Sequence, residues 1–285
     1  MDILRELNDE ELQYIMENLE SKLPDTLMEL NYILTVKRNK DLVKNIEHVS
    51  ESFLPTFYTH RKGKKENCTF FAITGANDHR VWIFSYEESL REVKECLEQT
   101  SLIRWKDKIF FDVVNKKIAS RIIEHINQNK FNLKLSVEGS FYYLEKEKVN
   151  QFDLNIPDGT YLKKLTENDA KYCASTWEWS SDTTENFVKT IILLDCAYGI
   201  CDKSTDEILS FGIINHFSAI SMLYTVEHAR GKHYGELIAK YLAVKIVENF
   251  DLAPNCCITG SNIASEKLFD KLGYVHICDV SRIIV

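Results

Sequence analysis

The stretch "YTVEHARGKHYGELIAKYLAVKIVENF", Tyr224 to Phe250, passes from an apolar run through a basic, Gly-flanked turn into an amphipathic pattern. Leu237, Ile238, Tyr241, Leu242 and Ile246 recur at three- and four-residue spacing, which predicts a helix with one buried face. A strand ending at Val226 and a helix starting near His233 leave the helix's first N–H groups pointing into the turn. Those unpaired donors and the helix dipole make a site for an anion. Arg230 and Lys232 add positive charge there, and Gly231 and Gly235 let the backbone come close to a ligand. A solvated basic turn has the same local sequence, so the surroundings have to decide.

Downstream, "CCITG" reads as a short buried strand, "NIASEKLFDKLG" as a helix ended by Gly273, and "YVHICDVSRIIV" as a last strand. Upstream, "CAYGIC", "ILSFGIINHF" and "AISMLYTV" are strand-like runs in a tight meander, preceded by two helical patterns, "ENDAKYCASTWEW", capped by Thr166, and "SDTTENFVKTIILL". "TYLKKL" opens the second half as a strand. The predicted order over residues 151–285 is therefore β, α, α, β, β, β, α, β, α, β, a mixed α/β fold in which an antiparallel meander leads into a βαβ unit. The first half, residues 1–150, reads as another α/β domain. It has a helix capped by Asn8, a second helix after Pro24, a hairpin of "CTFFAIT" and "VWIFSY" around "GANDH", and further helices in "EESLREVKECLEQT" and "ASRIIEHINQ". The charged, Pro- and Gly-marked stretch around 146–160 is the predicted boundary.

Bulk composition narrows the function. The 285 residues carry a net charge of -8, with 45% hydrophobic and 27% charged residues, so the chain is globular and no nucleic-acid partner is expected. A local basic patch still binds a small anion against that background. The acidic start, "MDILRELNDEELQYI", lacks the pattern of a signal peptide, and no run reaches the roughly 18 apolar residues of a membrane span. The 8 cysteines are scattered without metal-ligand spacing, so neither a disulfide framework nor a metal is expected. They point to reduced thiols in a cytoplasmic protein, a mitochondrial one being left open.

"YTVEHARGKHYG" resembles the acyl-CoA-binding signature of the GNAT superfamily of N-acyltransferases, and "SNIASEKLFDKLGYVHI" resembles that superfamily's second block. Within the superfamily the wording is most similar to the glycine N-acyltransferase-like subgroup. The resemblance covers residues 160–285 well and the first 150 loosely; in one reading the first half is itself a degenerate GNAT-like unit. It implies a GNAT fold preceded by an N-terminal α/β domain, and acyl-CoA or acetyl-CoA as co-substrate. It also implies that Leu223, Tyr224, Thr225 and Val226 offer backbone groups to the pantetheine arm. The turn Arg230, Gly231, Lys232, His233, Tyr234, Gly235 would hold the pyrophosphate, with Glu236 opening the helix behind it. Asn262 would contact the pantetheine, and Phe269 would flank the thioester.

Three departures from the family pattern bear on catalysis. His233 replaces the turn's middle glycine, and the cradle is expected to survive only if His233 stays right-handed. Phe269 replaces a tyrosine that protonates the departing thiolate, leaving Tyr224 and Tyr234 as nearby phenols. The position of the subgroup's catalytic glutamate falls at about Ala219. His216 and Glu178 are then the candidate bases, although a structural histidine and a solvated glutamate account for them equally well. Cys256 and Cys257 read as structural thiols. The expected activity is transfer of an acyl group from acyl-CoA to the amine of a small acceptor such as glycine or another amino acid. The rival readings are a non-catalytic acyl-CoA-binding protein and a protein or peptide N-acetyltransferase. Oligomeric state is not legible.

Overall fold

A computed structural model of the chain describes residues 1–75 and 78–285, with Asn45 described through its backbone. Ala76 and Asn77, in the middle of the "GANDH" turn, lie outside the described residues. The first half runs β1 (Leu4–Glu6), α1 (Asp9–Glu20), α2 (Leu27–Leu42), β2 (Thr56–His60), β3 (Phe70–Ile73), β4 (His79–Phe84), α3 (Arg91–Gln99), β5 (Ile109–Asn115), α4 (Lys116–Asn129) and β6 (Leu135–Tyr143). The second half repeats that order: β7 (Thr160–Lys164), α5 (Ala170–Ser175), α6 (Thr184–Leu193), β8 (Ala197–Asp202), β9 (Ile208–Ile214), β10 (Ala219–Thr225), α7 (Tyr234–Phe250), β11 (Asn255–Thr259), α8 (Ile263–Lys271) and β12 (Val275–Ile284).

One sheet of 12 strands runs through both halves in the order β1-β2-β3-β4-β5-β12-β6-β11-β10-β9-β8-β7. Two parallel contacts occur, β4 with β5 and β10 with β11, each bridged by one helix, α3 or α7. The last strand of each half has crossed to the other. β12 pairs with β5, β6 pairs with β11, and β6 and β12 pair with each other from Val275↔Tyr143 to Ile284↔Leu135. The side chains of β3 and β4 show how the sheet sorts its faces. Phe71, Ile73, Val81 and Ile83 pack with Val93, Leu97, Ile118 and Ile122 of α3 and α4. Their alternates Phe70, Ala72, Trp82 and Phe84 pack with Ile15, Leu19, Tyr32 and Ile33 of α1 and α2. That alternation is the period of two that a strand imposes.

Local chemistry sets several of these elements. Asn8 and Glu11 form the reciprocal cap that starts α1, and Gly273, at φ 86°, ends α8 in the left-handed region. α7 buries Tyr234, Ile238, Leu242 and Ile246 against the sheet. Each such Leu or Ile is worth about 1.5–3 kcal/mol of transfer free energy. Three sequence expectations need correction. β1 and β2 are strands that the reading passed over. β6, just ahead of the expected boundary, is a further strand without a sequence expectation. The helix predicted through Trp179 ends at Ser175, so Trp177, Glu178 and Trp179 sit on a turn.

Candidate functional site

β10 and β11 are hydrogen-bonded only at their starts, Ala219↔Asn255 and Ile220↔Cys256. On the β9 side the register shifts between Ser221 and Tyr224, where Met222 takes φ 49°. This is a β-bulge, which bends and twists the strand that carries it. From Ser221 onward the edge of β10 that faces β11 has no strand partner. A groove of about 490 Å³ opens there, with Ser221, Met222, Leu223 and Tyr224 on one wall and Cys256, Cys257, Ile258 and Thr259 on the other. Asn262 and Phe269 of α8 line it as well. Asn262 also caps α8, its Oδ1 accepting from Ser265 N at 3.1 Å. The predicted stretch at the end of β10 is not uniform. Val226 is withdrawn from the groove, giving its N–H to Leu209 O and accepting from Ala229 N, both at 3.0 Å.

The groove's far end meets the mouth of α7, where Arg230 lines both the groove and a second hollow of about 340 Å³. The first intrahelical bond of α7 runs from Leu237 N to His233 O, so the N–H groups of Tyr234, Gly235 and Glu236 precede the ladder. The hollow is lined by Thr225, Gly231, His233, Gly235, Lys267 and Lys271, among others. Gly231 has φ 79° and open space where a Cβ would sit. Lys232 is exposed and takes no part in this lining.

Lys267 and Lys271 escaped the sequence reading. They sit one helical turn apart on the face of α8 that looks at the mouth of α7, a spacing visible in "SEKLFDK". Glu236 collects the charge around it, 2.6 Å from Lys271 Nζ and 2.8 Å from Lys240 Nζ. Burial pushes its carboxyl up, but the hydrogen bonds from Lys240 and Lys271 outweigh that and hold it at about 2, so it is ionised.

His233 reverses an expectation. Its backbone is left-handed, φ 61° and ψ 15°, not right-handed. The turn therefore keeps the shape that a glycine takes freely, and carries an imidazole that is 76% exposed and lies 3.2 Å from Glu236. A side chain in that region costs about 1–2 kcal/mol relative to right-handed backbone, a penalty glycine escapes. His233→Gly should accordingly raise the unfolding free energy by about 1 kcal/mol in a denaturant titration, without weakening anion binding at the turn. A loss of stability would show that the imidazole contact with Glu236 outweighs the strain.

His216 is corrected as a candidate base. It faces away from the groove, into a small pocket with Tyr32, Ser52, Arg80 and Asp112. Its Nε2 lies 3.6 Å from Asp112 Oδ2, and its Nδ1 is buried without a partner among the described residues. Burial drives its pKa down to about 4, so at neutral pH it is an uncharged core group. Ala219 is also buried, in the core shared with Phe141 and Val280, and is not among the residues that line the groove. Glu178 does line the groove, on an exposed turn between Trp177 and Trp179. Tyr224 lines the groove, whereas Tyr234, the first residue of α7, is buried and lines the hollow instead. Burial pushes the Cys257 thiol up to about 12 and raises Cys256 well above the usual thiol value, so neither wall thiol is a ready nucleophile. All eight cysteines are free.

The first half treats the equivalent helix mouth differently. Leu90, just before α3, is left-handed at φ 53°, as His233 is before α7. There, however, the chain supplies its own anion: Glu87 Oε2 accepts from Glu92 N at 2.7 Å, in the first turn of α3.

The comparisons with known proteins agree with this topology. Residues 197–283 match the family model of FR47-like protein, and residues 3–125 match a domain of unknown function, DUF5645. No curated protein matches the chain. Among solved structures, a Drosophila protein superposes with a TM-score of 0.91 at 21% identity, over 100% of this chain and 99% of that one. A tandem GNAT protein from the clavulanic acid biosynthesis pathway aligns with a TM-score of 0.55 at 10% identity, over 99% of this chain and 97% of that one. This chain has a GNAT fold. A GCN5-related N-acetyltransferase from Sphaerobacter thermophilus aligns similarly, with a TM-score of 0.56 at 8% identity over 99% and 95% of the two chains. In the GNAT fold seen here, the splayed strands are β10 and β11 and the following helix mouth belongs to α7. No helix among the described residues is long and apolar enough to cross a membrane, and none of their side chains form a metal-binding group.

Proposed function

We propose that the chain is an acyl-CoA-dependent N-acyltransferase acting on the amine of a small acceptor such as glycine or another amino acid. The observation that carries this reading is the continuity of two features. A groove with an open backbone edge, between β10 and β11, runs directly into a basic hollow at the mouth of α7. A long ligand with a thioester at one end and phosphates at the other fits that sequence of surfaces. The hollow takes the pyrophosphate on the N–H groups around Tyr234 and Gly235, with Arg230, Lys267 and Lys271 neutralising it. The groove takes the pantetheine, between Leu223 and Tyr224 on one side and Asn262 and Phe269 on the other.

In the reaction the acceptor nitrogen attacks the thioester carbonyl carbon. The C–N bond forms, the C–S bond breaks, and its electron pair leaves with sulfur. A backbone N–H on the open edge of β10 stabilises the developing oxyanion; Val226 is not the donor, because its own N–H is spent on Leu209. Glu178, the one carboxylate among the described residues that line the groove, receives the proton lost by the amine. Most of the acceleration comes from orientation and the oxyanion donor. The two units proposed here, residues 1–150 and 151–285, run the same element order, and only the second offers an open anion cradle. One acyl-CoA per chain is the expected stoichiometry.

A second reading, a non-catalytic acyl-CoA-binding protein, draws on Phe269, which is buried and has no proton to give a departing thiolate. Two measurements separate these possibilities. Calorimetric titration with CoA should give one site, and Arg230→Ala combined with Lys271→Ala should weaken it about 10–100-fold; unchanged affinity would remove the cradle. Release of free thiol from acetyl-CoA or benzoyl-CoA in the presence of an amine panel supports the transferase. CoA binding with no release above background leaves only the binding protein.

A further inference from the structure

We infer that Arg282 is the residue that selects the acceptor, by binding a carboxylate, and that the acceptor is therefore an amino acid or another small amine bearing a carboxylate. This rests on the transferase reading of the same groove and assigns a role to the end away from α7.

The groove carries two cations among its lining residues. Arg230 stands at the end shared with the phosphate hollow, and Arg282, from β12, lines the other part of the groove together with Val113 of β5. The strand exchange places Arg282 here, since β12 belongs to the second half and β5 to the first. The Arg282 side chain is 15% exposed, so its charge sits in a low-dielectric position that faces the groove.

Its protein partners leave that charge poorly satisfied. Nε donates to the Asp112 backbone oxygen at a long 3.4 Å, and Nη2 lies 3.9 Å from Asp112 Oδ1. Asp112 is committed elsewhere: its Oδ2 takes a short hydrogen bond from Arg80 Nη1 and faces His216 Nε2 at 3.6 Å. Arg80 is held in turn by Asp78 at 3.0 Å. Arg282 is thus the member of this buried network without a close carboxylate. A guanidinium offers five donors in a planar fork suited to a carboxylate. Trp177 packs against it, with Arg282 Cζ 5.3 Å from the ring centroid.

The other charge in the groove is complementary. Glu178 follows Trp177 directly and is the one acidic residue of the lining. A carboxylate held on Arg282 leaves the acceptor's amine in the same groove as Glu178 and the open edge of β10. An acceptor without a carboxylate, such as a simple alkylamine or a polyamine, leaves Arg282 unanswered and adds a second cation beside it.

The test compares matched pairs that differ only at this group. Binding of N-acetylglycine, N-acetyl-β-alanine and N-acetylglutamine to the CoA-loaded protein is measured against the corresponding carboxamides. At least one acid should bind about 10–100-fold more tightly than its amide, and Arg282→Gln should abolish the discrimination while leaving CoA affinity unchanged. Arg282→Lys should recover part of it. Because the readout is a ratio within one preparation, a variant that is partly unfolded does not distort it. In turnover, Arg282→Gln should raise KM for the acid acceptor and leave KM for glycinamide unaltered. Wild-type protein that binds acids and amides equally overturns the assignment, as does a variant that loses both to the same extent. Discrimination without any thiol release would instead remove the transferase reading and leave Arg282 as a carboxylate site.

Discussion

Replacing Asp112 by alanine should destabilise the folded chain by about 3–5 kcal/mol, read as a lower denaturation midpoint at pH 7. Asp112 stands on β5 with its side chain 6% exposed, and it answers Arg80 from the first half together with Arg282 and His216 from the second. Without it Arg80, 12% exposed, keeps Asp78 alone, and Arg282 loses its nearest carboxylate. The cost is that of an uncompensated buried charge, which exceeds the net worth of the pair itself. The pH dependence has a definite sign. Burial works against the ionised carboxyl, but the charges of Arg80 and Arg282 overcome this and hold Asp112 at about 2. A folded pKa below the unfolded value of about 3.9 contributes stability that is complete above that value. It is lost as the pH falls from about 4 to about 2, and amounts to about 2–3 kcal/mol. Asp112→Asn should flatten the stability curve in that window; a variant as acid-sensitive as the parent would show that other carboxylates control it.

Gly139→Val, made outside the groove's lining, should damage the groove through the wall it presses on. Gly139 lies in β6 and pairs with Thr259 on one side and Val280 on the other. A Cβ at this point would overlap the Ile258 carbonyl oxygen and lie 2.9 Å from Thr259 Cα. Both are backbone atoms, with no flexible end to swing aside, so β6 and β11 must separate. Overpacking of this kind costs about 1–3 kcal/mol and sometimes more. β11 also supplies one wall of the groove, so CoA binding should fall with stability. A variant that melts earlier yet binds CoA normally would show that the wall relaxes independently of β6.

The second half was legible because its signals are local. The strand, basic turn and helix lie within Ala219–Phe250, and the cap and glycine of the next helix follow soon after. What escaped the sequence depends on contacts between distant segments. β6, "LSVEGSFYY", alternates like a strand, but a charged stretch follows it directly, and its partners β11 and β12 lie more than a hundred residues away. His216 was chosen because it ends a β-run beside the expected site; a run of apolar residues does not say which face a histidine takes. Arg282 gave no signal at all, because only the pairing of β12 with β5 brings it beside Trp177. Lys267 and Lys271 could have been found from their spacing, had α8 been asked which face it turns toward α7.

The exchanged strands also set a condition on biosynthesis. β5 ends at Asn115, but the strand that covers its edge begins only at Val275. A nascent chain that has completed the first half presents an open β5 edge and a detached β6, both templates for pairing with other chains. Neither half can close its sheet before β12 has left the ribosome, and the loops to be closed then are long, which slows folding. Protection of the emerging chain is thus part of what this topology demands. Cutting the protein between its halves would separate each from a strand it needs, so the two cannot be expected to live apart.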